Sequence, residues 1–388
     1  MELDQSKKSI LFVLPTEAFA TKERTLLKDI SIALEAGFKV VLATYLNSQL
    51  AKEAQALGIE CVPINDHVIN RFTAYHKHYP LKSVIKKYKI SVVHCYEMSL
   101  LISMVTQLRG FNLVSLVITV DHPIDRPLQR FWYKPLIARI DFLILLNKHL
   151  KNDLVGNLAL PSKKIEYFGM GIKNRKPVLP EAIDESFSSY KDYFLAGTYI
   201  SSDLETIEPL VPILLSLKVI NLKRESDLPV KLCLVAESDF KIMTILKPLK
   251  EFIEQNDLSN NIVFVSTKDV DGVMTKLSLW ISNPGGELIE DFALSALVHE
   301  VPVLMPRNFC SRALFKEYEG IGENYKAFDS RELREKWSKI LMGYNLYRDK
   351  TRLFKFFIEK EHDYKIYRQD LVDLYTKMTL RRSRIFER

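Results

Sequence analysis

SILFVLPTEAFATKERTLLKDISIALEAGFKVVLAT, residues 9–44, decides the fold. Its first residues are almost all apolar and do not alternate with polar ones, as in a parallel strand covered on both faces. Residues 23–35 place apolar side chains at helical spacing, and Gly37 stands where a helix C-cap is expected. A second apolar run follows at 39–44. Strand, helix and strand in this order make a βαβ unit, which calls for a parallel sheet.

The same alternation continues outward. Apolar runs at 91–94, 113–120, 141–146 and 164–168 predict strands, and 47–56, 81–88 and 100–108 predict intervening helices, the last closed by Gly110. Residues 173–191 break the pattern with Pro177, Pro180, acids and serines. A second series then starts, with strands expected at 192–197, 230–236, 261–265, 277–281 and 301–305 and helices at 210–220, 242–255 and 291–299. Residues 349–379 read as one continuous helix. The expectation is an α/β chain of two doubly wound, Rossmann-like domains. Their boundaries fall at 1–175 and 192–365, with a linker at 176–191 and a helix and basic tail at 366–388.

The chain has 388 residues, 47% of them hydrophobic, so it can bury a sizeable core and is neither disordered nor fibrous. The four cysteines form no CxxC pair and no zinc-ligand spacing, which fits a reducing cytoplasm and leaves no metal site to expect. No cofactor is expected either. The start lacks a secretory pattern and no run approaches about 18 uninterrupted apolar residues.

The formal net charge of +7 is unevenly placed. Residues 1–190 hold 25 Lys and Arg against 18 Asp and Glu, whereas 191–388 hold 30 of each. Within 71–139 there are 11 basic and 3 acidic residues, among them Lys82, Lys86, Lys87, Arg126, Arg130, Lys134 and Arg139, with Phe131, Trp132 and Tyr133 interspersed. This is a candidate face for an anionic membrane, placing the chain in the cytoplasm and peripherally on the inner face of the membrane. Ordinary helix-surface solubility is the competing reading. No nucleic-acid module is visible, so nucleic acid is not an expected partner.

Four further phrases extend the pattern: VVHCYEMSLLISMVTQLRG at 92–110, DFLILLNKHLKNDLV at 141–155, IEYFGMGI at 165–172 and WISNPGGELIEDFALSALVHEVPVL at 280–304. In their order and spacing the chain resembles, over nearly its whole length, the retaining GT-B glycosyltransferases of the family 4 type. The resemblance implies two facing Rossmann-like domains with the active site in the cleft, an acceptor domain first, a nucleotide-sugar domain second, and a last helix crossing back to the first.

The resemblance also assigns positions. The family's diphosphate-binding Arg falls on Thr198, next to Gly197, and its Lys falls on Ser202 or Asp203. The family's first Glu, which contacts the sugar, falls on Glu287 after Gly286, and its second, which contacts the ribose, falls on Ser295. Its glycine pairs fall on Ala20 and Thr21 and on Phe309 and Cys310. The His that lies near the transferred sugar falls on Asp121, with His122 beside it, and His94 matches a strand-end His. Glu287 and His122 are thus the candidate catalytic residues, and Gly197, Thr198, Asp203, Gly286 and Ser295 are the candidate donor positions. The competing readings are a solvated loop acid for Glu287 and a solvent-facing ring for His122. Arg307, Arg312 and Lys316 are candidate replacement cations or plain solvated side chains.

Two functions follow as expectations. One is a pseudo-glycosyltransferase, a binding or scaffold protein with a small-ligand or protein partner. The other is a divergent active enzyme moving a sugar from a nucleotide-sugar to a polysaccharide or glycolipid acceptor.

Overall fold

The first unit is built on a seven-stranded parallel sheet in the order β3-β2-β1-β4-β5-β6-β7. Its strands are β1 Ser9–Val13, β2 Lys39–Thr44, β3 Glu60–Pro63, β4 Val92–Cys95, β5 Ser115–Val120, β6 Phe142–Leu145 and β7 Ile165–Tyr167. The second carries six parallel strands in the order β10-β9-β8-β11-β12-β13. These are β8 Phe194–Tyr199, β9 Val230–Ala236, β10 Ile262–Ser266, β11 Leu279–Ile281, β12 Val303–Pro306 and β13 Gly322–Tyr325. This computed structural model describes residues 8–17, 19, 21–64, 81–121, 133–158, 160–172, 179–201, 204–223, 228–237, 243–284 and 291–380.

The near-continuous apolar runs become central strands because both faces are covered. β1, β4, β5 and β8 are buried along their whole lengths. β3 and β13 lie at sheet edges, and neither was expected from the sequence. The helix Thr21–Glu35 buries Leu26, Ile30 and Ala33 against β1 and β2. Full burial of such a side chain contributes roughly 1.5–3 kcal/mol.

Contacts divide the chain into residues 1–171 with 364–388, and residues 172–363. The span 176–191, expected as a linker, carries the helix Glu181–Ser188, whose Phe187 is buried. That helix therefore belongs to the second unit. The continuous helix expected at 349–379 is two helices, Tyr344–Glu361 and Tyr364–Leu380. They break where the Ile172 N–H donates to the His362 carbonyl at 2.6 Å and Ile172 bridges Asp363. The chain therefore enters and leaves the second unit at adjacent points. The last helix completes the first unit's core, burying Tyr367, Leu371, Leu374, Tyr375 and Met378 with Phe12 and Ile30.

Candidate functional site

In open parallel sheets, ligands bind outside the carboxyl ends of strands near the point where strand order reverses. In the second unit that point lies between β8 and β11. Gly197 sits inside β8. A Cβ there would lie 2.3 Å from Leu277 Cδ1 and 3.2 Å from the Trp280 ring, so internal packing already demands a glycine. Thr198 is fully buried, and its hydroxyl donates to Asn283 Oδ1 at 3.1 Å. Asn283 donates in turn to the Tyr199 carbonyl, which ties the loops after β8 and β11 together. Tyr199 Oη donates to Glu237 Oε2 at 2.9 Å, and its ring lies against Phe292 with centroids 4.4 Å apart. The end of β11 is anchored again by Tyr325, whose hydroxyl donates to the Ser282 carbonyl at 2.6 Å.

Ser295 lies on the helix Asp291–Val298, buried, and its hydroxyl donates to Asp271 Oδ1. That hydroxyl is committed within the unit. Arg307 pairs with Glu332, and Arg312 donates to its own helix's Asn308 carbonyl at 3.4 Å. Phe309 and Cys310 open the helix Phe309–Glu317, capped by Asn308 with Ser311. Among the described residues between β8, β9 and β11 and the helices that follow them, the charged side chains are Glu205, Glu208 and Glu237, all acidic, and the helix after β11 opens on Asp291. Asp203, Gly286 and Glu287 lie outside the described residues.

In the first unit the reversal lies between β1 and β4. Lys22, at the start of the helix after β1, pairs with Asp121 at the end of β5 at 2.8 Å and with Glu97 after β4 at 3.9 Å. Burial is the largest single influence on the Lys22 ammonium and pushes its pKa down, but the carboxylates together hold it above its ordinary value. Asp121 stands at the position the resemblance gives to a His, and an ion pair occupies it. The reading of the sequence did not single out Lys22. Its place in the loop after the first strand, facing an acid after β5, was the available signal.

His94 is a core residue. It is fully buried, with Nδ1 2.7 Å from Tyr375 Oη and Nε2 2.7 Å from Thr119 Oγ1. Burial pushes its pKa down to about 3, so the ring is neutral. His122, Arg126 and Arg130 lie outside the described residues.

Of the basic region, Lys82, Lys86 and Lys87 are exposed on the helix Leu81–Lys87, opposite buried Leu81, Val84 and Ile85. Lys134 is exposed as well. Lys87 is partly matched by Glu60 at 3.5 Å. Arg139 does not belong to this face: it pairs with Asp141 at 2.9 Å and donates to the carbonyls of Phe111 and Val114. Among the described residues no three His, Cys, Asp or Glu side chains gather as a metal site, and no helix is long and apolar enough to cross a membrane.

A cavity of about 610 Å³ in the second unit lies along edge strand β13, lined by Arg307, Phe315, Glu323, Lys336, Lys339 and Tyr347 among others. It is remote from the end of β8 in the sheet order. Glu323 accepts there from Tyr347 Oη and pairs with Lys336 at 3.1 Å and with Lys339.

The sequence matches no described protein family and no curated protein. Solved structures do match along the chain. A glycosyltransferase from Rickettsia africae ESF-5 superposes with a TM-score of 0.69 at 14% identity, covering 96% of this chain and 98% of that one. Anabaena HepE in complex with UDP-glucose gives 0.67 at 13% identity, covering 95% and 99%. WaaG, a glycosyltransferase involved in lipopolysaccharide biosynthesis, gives 0.61 at 15% identity, covering 95% and 99%. The two parallel sheets with their helices are those of the GT-B glycosyltransferase fold.

Proposed function

We propose that this chain is a pseudo-glycosyltransferase, a GT-B protein that serves as a binding or scaffold protein and has lost nucleotide-sugar transfer. One observation carries the reading. Where the resemblance calls for a diphosphate-binding Arg, Thr198 is fully buried and bonded to Asn283, the described charged groups in the loops after β8, β9 and β11 are acidic, and Arg307 after β12 is paired with Glu332. A leaving diphosphate needs cations or N–H donors as its charge develops. Each missing charge-assisted hydrogen bond forfeits about 1.5–3 kcal/mol. Two such losses weaken binding by roughly 10²–10⁴-fold, which moves a micromolar ligand towards the millimolar range. Calorimetric titration with UDP and UDP-glucose is therefore expected to give no measurable heat of binding at low-millimolar ligand. Micromolar affinity for either would overturn the reading.

The alternative is a divergent active retaining glycosyltransferase acting in polysaccharide or glycolipid biosynthesis, with Glu287 and His122 at the transferred sugar. It draws on HepE, which was solved with UDP and with UDP-glucose. Turnover of UDP-glucose in the same titration, removed by Glu287→Gln, would establish it.

The basic face of the first unit supports a cytoplasmic protein held peripherally on an anionic membrane. Lys82 and Lys86 project from one face of a short helix with no carboxylate paired to them among the described residues. Each contributes about 1 kcal/mol near such a surface. Lys82→Glu combined with Lys86→Glu is expected to cut retention on anionic liposomes at least about tenfold at low salt. Equal retention of parent and variant, or equal retention on neutral liposomes, counts against the membrane role.

A further inference from the structure

The helix Tyr344–Glu361 has two faces. Tyr347, Thr351 and Ile358 are buried against the second unit. The opposite face is exposed and apolar: Leu346 is 63% exposed, Leu353 60%, Phe356 66% and Phe357 54%, with Met342 at the preceding helix end at 83%. Leu346 and Leu353 stand seven residues apart, two helical turns, and Phe356 and Phe357 follow in the next turn, so the four share one face, with the charged Asp349 and Lys350 between the leucines. From Leu346 to Phe357 it runs about 17 Å at 1.5 Å per residue. Clustered exposed apolar side chains on a helix face point to a contact surface.

Two leucines and two opposite charges stand symmetrically about the peptide between Asp349 and Lys350. Leu346 and Leu353 stand equally far from that point. A two-fold contact sets residue i against j and j against i, so a leucine pair and an opposite-charge pair placed this way complement themselves. In an antiparallel pair of these helices, Leu346 meets the second copy's Leu353. Phe356 and Phe357 reach the start of the second copy's helix. At the centre, Asp349 meets the second copy's Lys350, twice over. Both residues are exposed, and neither has an ion-pair partner among the described residues.

We infer that this helix is the interface of a homodimer, with two copies crossing antiparallel about the Asp349–Lys350 peptide. The charges select this occupant over a lipid surface. An acid at the middle of the stripe is costly against apolar lipid, whereas a second copy supplies its counter-ion. One helix pair falls in the small class of interfaces, below about 1,200 Å² in total, so the dimer is reversible.

Sedimentation velocity of the full chain tests this. The expected result is a monomer-to-dimer shift between about 1 and 100 μM, the range a small interface gives. Leu353→Glu is expected to abolish it, and Asp349→Lys or Lys350→Asp alone to weaken it about tenfold or more by placing like charges at the centre. The double variant Asp349→Lys with Lys350→Asp restores opposite charges in the antiparallel register and is expected to return association to within about threefold of the parent. All three substitutions are on exposed positions, so unchanged circular dichroism and melting of the four variants verify the fold. A monomer at every concentration overturns the proposal. So does a dimer unaffected by Leu353→Glu, or a double variant no better than the singles. A monomer whose retention on phosphatidylglycerol vesicles depends on Leu353 also overturns it, in favour of lipid.

Discussion

Gly322→Ala is expected to unfold the second unit's sheet edge, at a cost above about 4 kcal/mol. A Cβ on residue 322 would lie 2.0 Å from the Val303 carbonyl oxygen and 2.9 Å from its carbon, with the Phe315 ring 2.9 Å away on another side. The first two atoms are backbone of the neighbouring strand, paired with Gly322 in the sheet register. A side chain can rotate away from a clash; backbone paired into a parallel ladder cannot. Relief would have to separate β12 from β13, which withdraws Tyr325 from the Ser282 carbonyl and Glu323 from Tyr347 and its lysines. Such a loss is a large share of the 5–15 kcal/mol by which folded proteins are typically stable. Gly156→Ala is the matched control. Gly156 lies exposed in the helix Leu150–Leu158 with nothing within 4 Å of a built Cβ, so alanine there should be neutral or stabilising by about 0.5–1 kcal/mol. Differential scanning calorimetry of both variants decides the matter. A Gly322→Ala protein melting within a few degrees of the parent would show that the strands relax and the argument is wrong.

The same strand shows where the sequence was legible. β1, β2, β9 and their neighbours announce themselves because burial on both faces requires uninterrupted Val, Ile, Leu and Phe. β13 is Gly-Glu-Asn-Tyr, with strand-poor residues at three of four positions. Tertiary demands place each of them: a close approach to β12 for Gly322, paired lysines for Glu323, a reach to Ser282 for Tyr325. β3 is short and ends on Pro63, a residue tolerated only at a sheet edge. Neither strand has a local signal, because what selects its residues is a neighbour distant in sequence. The break at His362 is hidden for the same reason, since the interrupting group is Ile172.

The site was legible in a different way. Family resemblance singled out Gly197, Thr198 and Ser295 as candidate donor positions, but the residues alone did not reveal what each touches. Gly197 is explained by Leu277 and Trp280, Thr198 by Asn283 and Ser295 by Asp271. Each partner is remote in sequence, and each gives its residue an internal task. The Lys22–Asp121 pair joins the ends of two different strand loops and carries no motif.

Asp29→Asn and His94→Gln are expected to tilt the first unit's stability in opposite directions between about pH 4 and 6, the window set by their shifted pKa values. Asp29 is 1% exposed and accepts hydrogen bonds from Tyr96 and, at 2.5 Å, from Tyr367 on the last helix. Burial is the largest influence and outweighs both bonds and the nearby Lys28 ammonium, pushing the carboxyl up to about 6. An unfolded aspartate titrates near 3.9. Between those values the folded chain holds a proton that the unfolded chain has lost, so this group's contribution falls as pH rises. The total is on the order of 3 kcal/mol at 1.36 kcal/mol per unit.

His94 does the reverse. Its folded value of about 3 lies below the roughly 6.5 of an unfolded histidine, so acidification protonates the unfolded chain first and stability falls as pH drops. In the parent the two slopes oppose one another through the shared window, which hides both. Asp29→Asn removes one slope. Its unfolding free energy should fall, relative to the parent, by about 1.4 kcal/mol for each unit of acidification from pH 6 to 4. His94→Gln should gain by about the same amount over the same range. The pair is not independent, since the His94 and Tyr96 rings lie 4.5 Å apart and Tyr96 bonds Asp29. The double variant therefore carries a coupling term in its offset. Its slope should nevertheless match the parent's, because cancellation and joint removal leave the same proton balance. Urea unfolding of the four proteins at pH 4, 5 and 6 measures this. Four parallel stability curves would mean that neither group changes its proton affinity on folding, and the buried network would then be held by packing alone.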